Sequence, residues 1–157
     1  MEKLNVLRYL QMWLDGNNLN GYTTHLQYPT PISLTLNLQL INVALGEAWI
    51  KLITHPERHG NQQGTIHGGL LCELADAAIG TAHSTRIEEN ESFTSVDLKI
   101  NFLRPVWQDT LIAHAKPIQS GKRISVYSCN ITNDAGKQVA YVVSTMMTLR
   151  GEQAKGR

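Results

Sequence analysis

The chain has 157 residues, 42% hydrophobic and 17% charged, and 14 Lys+Arg against 13 Asp+Glu leave a formal net charge of +1. That length suits one domain with a core that needs no metal or disulfide staples, and the apolar content argues against disorder. A balance this even excludes a protein whose main work is gripping nucleic-acid phosphates, and leaves only a local basic patch open.

Leu4, Leu7, Leu10, Trp13 and Leu14 fall at helical spacing and predict a short amphipathic helix that stops near Asp15-Gly16. This segment holds Glu2 and Arg8 and has no small-residue cleavage site, so it does not read as a signal peptide. Residues 16–31, rich in Asn, Gly and Pro, read as a loop. Two strand-like runs follow, LTLNLQLINVAL and EAWIKLIT, with Gly46 as the hairpin turn between them. HPERHGNQQG is polar and turn-rich, and a long helix over Ile66 to Thr85 comes next. With Glu73, Asp76, Gly68, Gly69 and Gly80 inside it, that helix is too polar and too short to span a bilayer, and no membrane partner is expected. Four strands complete the chain: FTSVDLKINFL, TLIAHAKPIQ, ISVYSCNITND and KQVAYVVSTMMTL, the last pair joined by an Asp134-Ala135-Gly136 turn.

One central helix cannot supply the crossovers of a parallel sheet. The economical arrangement is α+β: an antiparallel sheet of about six strands, the long helix on one face, and a short N-terminal helix. Val96, Leu98, Ile100 and Phe102 alternate with Ser95, Asp97, Lys99 and Asn101, which predicts one buried and one wetter face. The last strand is apolar on both faces, so it is either an edge that pairs with a second copy or a strand inside the sheet.

The stretch that carries chemistry is Asn61 to Ala82, NQQGTIHGGLLCELADAAIGTA. Its helix is nearly apolar all round, yet Asp76 sits in the middle. A charged carboxylate in a dry site costs several kcal/mol, so Asp76 is paired, neutralised, or on an exposed stripe with Glu73. His67-Gly68-Gly69 precedes the helix body, where free N–H groups bind an anion or stabilise an oxyanion, unless the glycines make only a turn. Asn61 is a loop amide that can orient a water or a carboxylate. There is no Gly-x-Ser-x-Gly elbow and no P-loop. Cys72, among leucines, is a poor candidate nucleophile. Cys72 and Cys129 lie far apart and outside any CxxC pair, so no disulfide framework is expected and a reducing, cytoplasmic setting is. His55, His59 and His67 suggest a metal site only weakly: Pro56 interrupts the first pair and no carboxylate is suitably spaced, so no metal is expected.

These residues resemble the hotdog-fold acyl-CoA thioesterases, specifically the phenylacetate-pathway and 4-hydroxybenzoyl-CoA type with an Asp on the central helix. The shared pattern is Asn61, Gly64, His67, Gly68, Gly69, Leu74, Asp76, Gly80 and Ala82, without a gap. SVDLKINFLRP, the Gly121-Lys122-Arg123 turn and the Asp134 to Lys137 hairpin extend the likeness over about residues 35 to 149. Trp107-Gln108-Asp109 departs from it, where relatives often carry a glycine, and residues 1–34 have no counterpart in the core motif. The resemblance implies one hotdog domain over residues 1–157, with 1–34 an N-terminal extension and 35–149 the core.

It further implies hydrolysis of an acyl- or aryl-CoA thioester to the free acid and CoA. Gly68 would polarise the carbonyl, and Asp76 would activate water or attack directly. Asn61 would hold the water or carboxylate, Ser95 would hydrogen-bond near Asp76, and His67 would orient the loop. Gly69, Arg104, Lys122 and Arg123 are candidates for binding the substrate, the last three against CoA phosphates or as plain solvated charge. No cofactor is implied beyond the CoA that the substrate carries. The expected partners are that substrate and further copies of the chain, as a homodimer or homotetramer with sites at the subunit interface. Two other readings remain open: a hotdog acyl-thioester dehydratase or hydratase, and a non-catalytic acyl-CoA-binding module.

Overall fold

The computed structural model describes residues 1–156. The chain runs β1 (Glu2–Lys3), α1 (Val6–Leu14), β2 (Tyr22–Thr23), α2 (Pro31–Leu36), β3 (Gln39–Ala44), β4 (Glu47–Ile53), α3 (Pro56–His59), α4 (Gly68–Ser84), β5 (Ser92–Phe102), β6 (Thr110–Ser120), β7 (Ile124–Thr132) and β8 (Gln138–Leu149), then a 3-10 turn, Gly151–Ala154. Six strands form one antiparallel sheet in the order β3-β4-β6-β7-β8-β5. β1 and β2 form a separate parallel pair.

Period-two burial in the strands meets period-3.6 burial in α4. Ala48, Ile50 and Leu52 of β4, Leu111, Ala113 and Ala115 of β6, and Tyr127, Cys129 and Ile131 of β7 all point inward and are buried. Against them α4 presents Leu71, Leu74, Ala75, Ala78, Ile79 and Ala82, also buried. Each fully buried Leu or Ile there contributes about 1.5–3 kcal/mol, and the alanines let the helix axis approach the sheet closely. The opposite stripe, Cys72, Glu73, Asp76, Ala77 and Gly80, is only half-buried. The helix is thus apolar on one face and mixed on the other. Near its end, His83 is buried between Tyr127 Oη (3.1 Å) and Thr148 Oγ1 (3.0 Å). Burial, and then the Arg86 charge, pull the His83 pKa down to about 4. No helix among the described residues is long and apolar enough to cross a membrane.

The N-terminal helix forms as its leucine spacing predicts. Asn5 caps it by accepting from the Arg8 N–H at 2.8 Å, and Val6 and Leu10 are buried against Val43. Two expectations are corrected and one left open is decided. The run from Leu34 does not begin as a strand: Pro31–Leu36 is helical, capped by Thr30 and ended by Asn37 in the left-handed conformation. Thr-Pro is an N-cap and first-turn signature, and it outweighs the alternation of Leu34, Leu36 and Leu38. The last strand, β8, is not an edge: it lies between β7 and β5, which explains why both its faces are apolar. The edge beyond it is β5, β3 being the other, and the β5 alternation fails at both ends of the apolar set, with Val96 57% and Phe102 55% exposed while Leu98 and Ile100 pack on the core.

The cause of the first failure is a bulge. Ser95 pairs with Met146 and Asp97 with Thr145, so Val96 is an extra residue without a partner. Asp97 repairs the ladder with its side chain: Oδ1 accepts from the Thr145 N–H at 2.8 Å, and Oδ2 from Thr145 Oγ1 at 3.2 Å. Ser144 Oγ donates to the Asp97 carbonyl at 2.6 Å.

Candidate active site

The loop into α4 is tied down from both sides. The Ile66 N–H donates to the Val106 carbonyl and the His67 N–H to the His59 carbonyl, each at 2.8 Å. Asn61 organises the loop itself. Its Oδ1 accepts from the N–H of Gln63 (2.9 Å) and Thr65 (3.2 Å), and its Nδ2 donates to Thr65 Oγ1 at 2.9 Å. Within one chain the Asn61 amide therefore holds its own turn and makes no contact with Asp76.

His67 is the N-cap of α4, with extended backbone (φ −63°, ψ 133°). Its Nδ1 accepts from the Gly69 N–H at 2.9 Å, and its carbonyl accepts from the Leu70 N–H at 3.0 Å. Gly69 thus spends its amide on the cap, which leaves it no free donor for a ligand. The Gly68 N–H, by contrast, has no acceptor among the described residues. It points out of a helix start with partial positive charge behind it. Gly68 cannot carry a side chain without a shift: an added Cβ would lie 2.8 Å from Cζ and 2.9 Å from Cε1 of Phe102.

Two turns along, Asp76 accepts at Oδ1 from Ser95 Oγ at 2.8 Å. The bulge after Ser95 is what separates its register from that of Asp97 and sets it against the helix. Asp76 lines a mostly apolar cavity of about 200 Å³ between α4, the β3–β4 end of the sheet and the N-terminal segment. Glu73 lines the same cavity, and burial, then the Asp76 charge, push its pKa up. The same two causes raise the Cys72 thiol, so it is a poor nucleophile.

The basic candidates are not gathered here. Arg104 follows β5 and donates from Nη1 to the Gln138 carbonyl at 2.6 Å, a structural tie. Lys122 and Arg123 sit in the β6–β7 turn. Lys122 lies with His83 and Arg86 at the far end of α4, roughly 22 Å along the axis from Gly68. The chain therefore brings Asp76 and Ser95 together and presents Gly68 separately; it leaves Lys122 remote from Gly68 within one protomer. His55 caps the short α3 and His59 ends it, with ring centroids 5.9 Å apart, and no group of three ligating side chains among the described residues is placed to hold a metal. Sequence reading missed Phe102 as the cover of Gly68 and Asp97 as the support of Ser95. No sequence signal marked Asp97, which falls at a polar position of an unbroken alternation and is set apart only by the bulge.

The thioesterase superfamily model matches residues 63–140, which spans the helix start, Asp76 and Ser95. A Haemophilus influenzae protein provisionally named an esterase is 35% identical over 96 residues, 60% of this chain and 69% of that protein. The chain belongs to the thioesterase superfamily. Human acyl-coenzyme A thioesterase 13 is 30% identical over 105 residues, covering 66% of this chain and 74% of that protein. Among solved structures, the E. coli PaaI protein from the phenylacetic acid degradation operon superposes with a TM-score of 0.72 at 28% identity, over 78% of this chain and 87% of that one. This thioesterase has the hotdog fold, a six-stranded antiparallel sheet packed on one long helix, and it is a thioester hydrolase.

Proposed function

We propose that the chain hydrolyses acyl-CoA thioesters with Asp76 as the reacting carboxylate and the Gly68 N–H as the oxyanion donor. The observation that carries this reading is the pair of groups on α4: a carboxylate oriented by Ser95 and facing a cavity, and a helix-start N–H without an acceptor. A thiolate of pKa about 8.5 leaves without a strong acid, so a donor for the oxyanion and a carboxylate acting directly or through a water are sufficient. His67 and Asn61 serve as positioning residues, since one caps the helix and the other fixes the loop. CoA release from a panel of acyl-CoAs, read with a thiol reagent, tests the reading. Hydration without thiol release, or binding without turnover, would overturn it.

The working unit in this reading is a dimer or larger oligomer. Gly68 and Asp76 are eight residues apart, about 12 Å along one axis, so one thioester carbon cannot lie near both in the same chain. The half-buried stripe of α4 and the β5 edge, with Val96 and Phe102 exposed, offer the surface on which a second copy would bring its Gly68 to this Asp76. Equal amounts of Gly68→Pro and Asp76→Asn, mixed after gentle dissociation, should recover about a quarter of wild-type activity, because half the dimers are mixed and each mixed dimer has one intact site. No recovery, with exchange confirmed by mass, rejects the shared site. Both cysteines are free, which suits the cytoplasm as its compartment.

A further inference from the structure

The segment before the family's motif is not an inert extension, because it builds part of the cavity that Asp76 faces. Trp13 from α1, Tyr28 from the following loop and Ile32 from α2 line that cavity together with Asp76, Gly80 and Phe93. Two of the three N-terminal groups are anchored. Trp13 packs in the cluster formed by the buried Val6 and Leu10 of α1. Tyr28 donates its hydroxyl to Ser84 Oγ at 2.6 Å, and Ser84 Oγ donates to the Thr81 carbonyl at 2.6 Å. Ser84 lies eight residues beyond Asp76 on the same helix, so Tyr28 closes the cavity about 12 Å along the axis from the reacting carboxylate. On the helix side, Gly80 leaves the room: an added Cβ would meet only Phe93, at 3.6 and 3.8 Å.

We propose that Trp13, Tyr28 and Ile32 form the wall that limits the acyl group, and that the preferred substrates carry an apolar acyl chain of about six to eight carbons or a single aromatic ring. The length follows from where the wall stands: Tyr28 is held at Ser84, about 12 Å along the helix axis from Asp76, the span of an extended acyl chain of about eight carbons or of one aromatic ring on a short linker. The apolar character follows from the lining, since the Tyr28 hydroxyl is already bonded and Asp76 and Glu73 sit on the helix stripe where the thioester enters. A longer chain would have to displace the pinned Tyr28. A two-carbon group would leave the cavity unfilled and gain little from it.

This inference rests on the acyl-CoA thioesterase reading, and one experiment separates the two. kcat/KM is measured for acetyl-, hexanoyl-, octanoyl-, phenylacetyl- and palmitoyl-CoA on wild type, Trp13→Ala and Gly80→Ala. Wild type should favour the hexanoyl, octanoyl or phenylacetyl ester over both acetyl and palmitoyl by tenfold or more. Trp13→Ala should raise the palmitoyl-to-octanoyl ratio at least tenfold. Gly80→Ala intrudes on the cavity from the other side without disturbing α1, and it should lower the octanoyl-to-acetyl ratio. A wild-type optimum at acetyl or palmitoyl, or a profile that neither variant moves, overturns the wall while leaving the thioesterase reading intact. No hydrolysis of any ester overturns both.

Discussion

The Gly68 N–H can be removed without unmaking the helix. Gly68 is the first residue of α4, and the first helical position is where proline is best tolerated, because its missing N–H has no helical partner anyway. The residue before it, His67, already has the extended backbone (φ −63°, ψ 133°) that a following proline requires. The obstacle is steric, since any Cβ at position 68 falls 2.8 Å from the Phe102 ring, about 1 Å inside ordinary carbon–carbon contact. The comparison is therefore made in a Phe102→Ala background, with Gly68→Ala as the control that keeps the N–H and Gly68→Pro as the variant that lacks it. If the N–H stabilises the oxyanion, the proline variant should lose about 10²–10³ in kcat relative to the alanine control, the usual cost of one oxyanion donor, with KM nearly unchanged. Its melting temperature should stay within a few degrees of the control. Steady-state thiol release on one acyl-CoA reads both constants. A proline variant within threefold of the control in kcat, or one that loses only KM, refutes the assignment. In the Phe102-containing background, Gly68→Ala alone should already reduce kcat, because either the ring or the donor must move.

Asp97→Ala should lower kcat while leaving KM close to wild type, because the bulge that sets Ser95 against Asp76 loses two hydrogen bonds to Thr145; about 1–3 kcal/mol of stability should go with them. Asp97→Asn, whose Oδ1 still accepts from the Thr145 N–H, should restore most of the activity, and failure of that rescue would mean that the negative charge rather than the bond matters. Gly80→Ala should raise the melting temperature by about 2–4 °C, since alanine is favoured in a helix interior by about 1 kcal/mol and its Cβ meets Phe93 at ordinary distance; a fall in calorimetry would refute the reading of that space. His83 is held neutral with its pKa pulled to about 4 against 6.5 when unfolded. The unfolded chain therefore binds the extra proton between those values, so this contribution is fully present above pH 6.5 and is lost as pH falls toward 4. Denaturant melts of wild type and His83→Gln across that window should show a steeper loss in wild type; parallel curves would contradict it.

The parts of the fold that obey one dominant local rule were legible. α4, the Gly46 hairpin and strands β6 to β8 follow from periodicity and turn residues, and Asp76 stood out because a carboxylate interrupts an apolar helix. Part of what escaped depends on pairings between residues distant in the chain, and part on local signals that competed with one another. The alternation of Val96 to Phe102 says nothing about which strand is the edge, and β5 is left half-covered by its position rather than by its composition. Thr30-Pro31 was a local signal for α2, but a run of alternating leucines competed with it. The bonding of the Gly69 N–H was not legible either, because it depends on where the His67 ring turns, and that ring turns inward to accept it. Trp13 and Tyr28 carry no motif at all, and only the docking of α1 on β3 puts them beside Asp76.

The edge position of β5 explains why the site can be built there. β5 runs antiparallel along α4, and its contacts are in order: Phe93 lies beside Gly80, Ser95 reaches Asp76, and Phe102 covers Gly68. One strand thus bounds the cavity, orients the carboxylate and packs on Gly68. A strand paired on both sides would break ladder bonds with two neighbours to accommodate the extra residue Val96, whereas β5 disrupts only its pairing with β8, and Asp97 restores part of that. The bulge is also what puts Ser95 and Asp97 to different uses two residues apart, one bonded to the helix and the other to the neighbouring strand. In a regular strand, residues two apart share a face and would compete for the same side. Shifting the register of β5 by one residue would move Ser95 off Asp76 and Phe102 off Gly68 at once. Gly68 and Asp76, the two groups proposed to react, are separated along the helix and are held in step by the strand that crosses both.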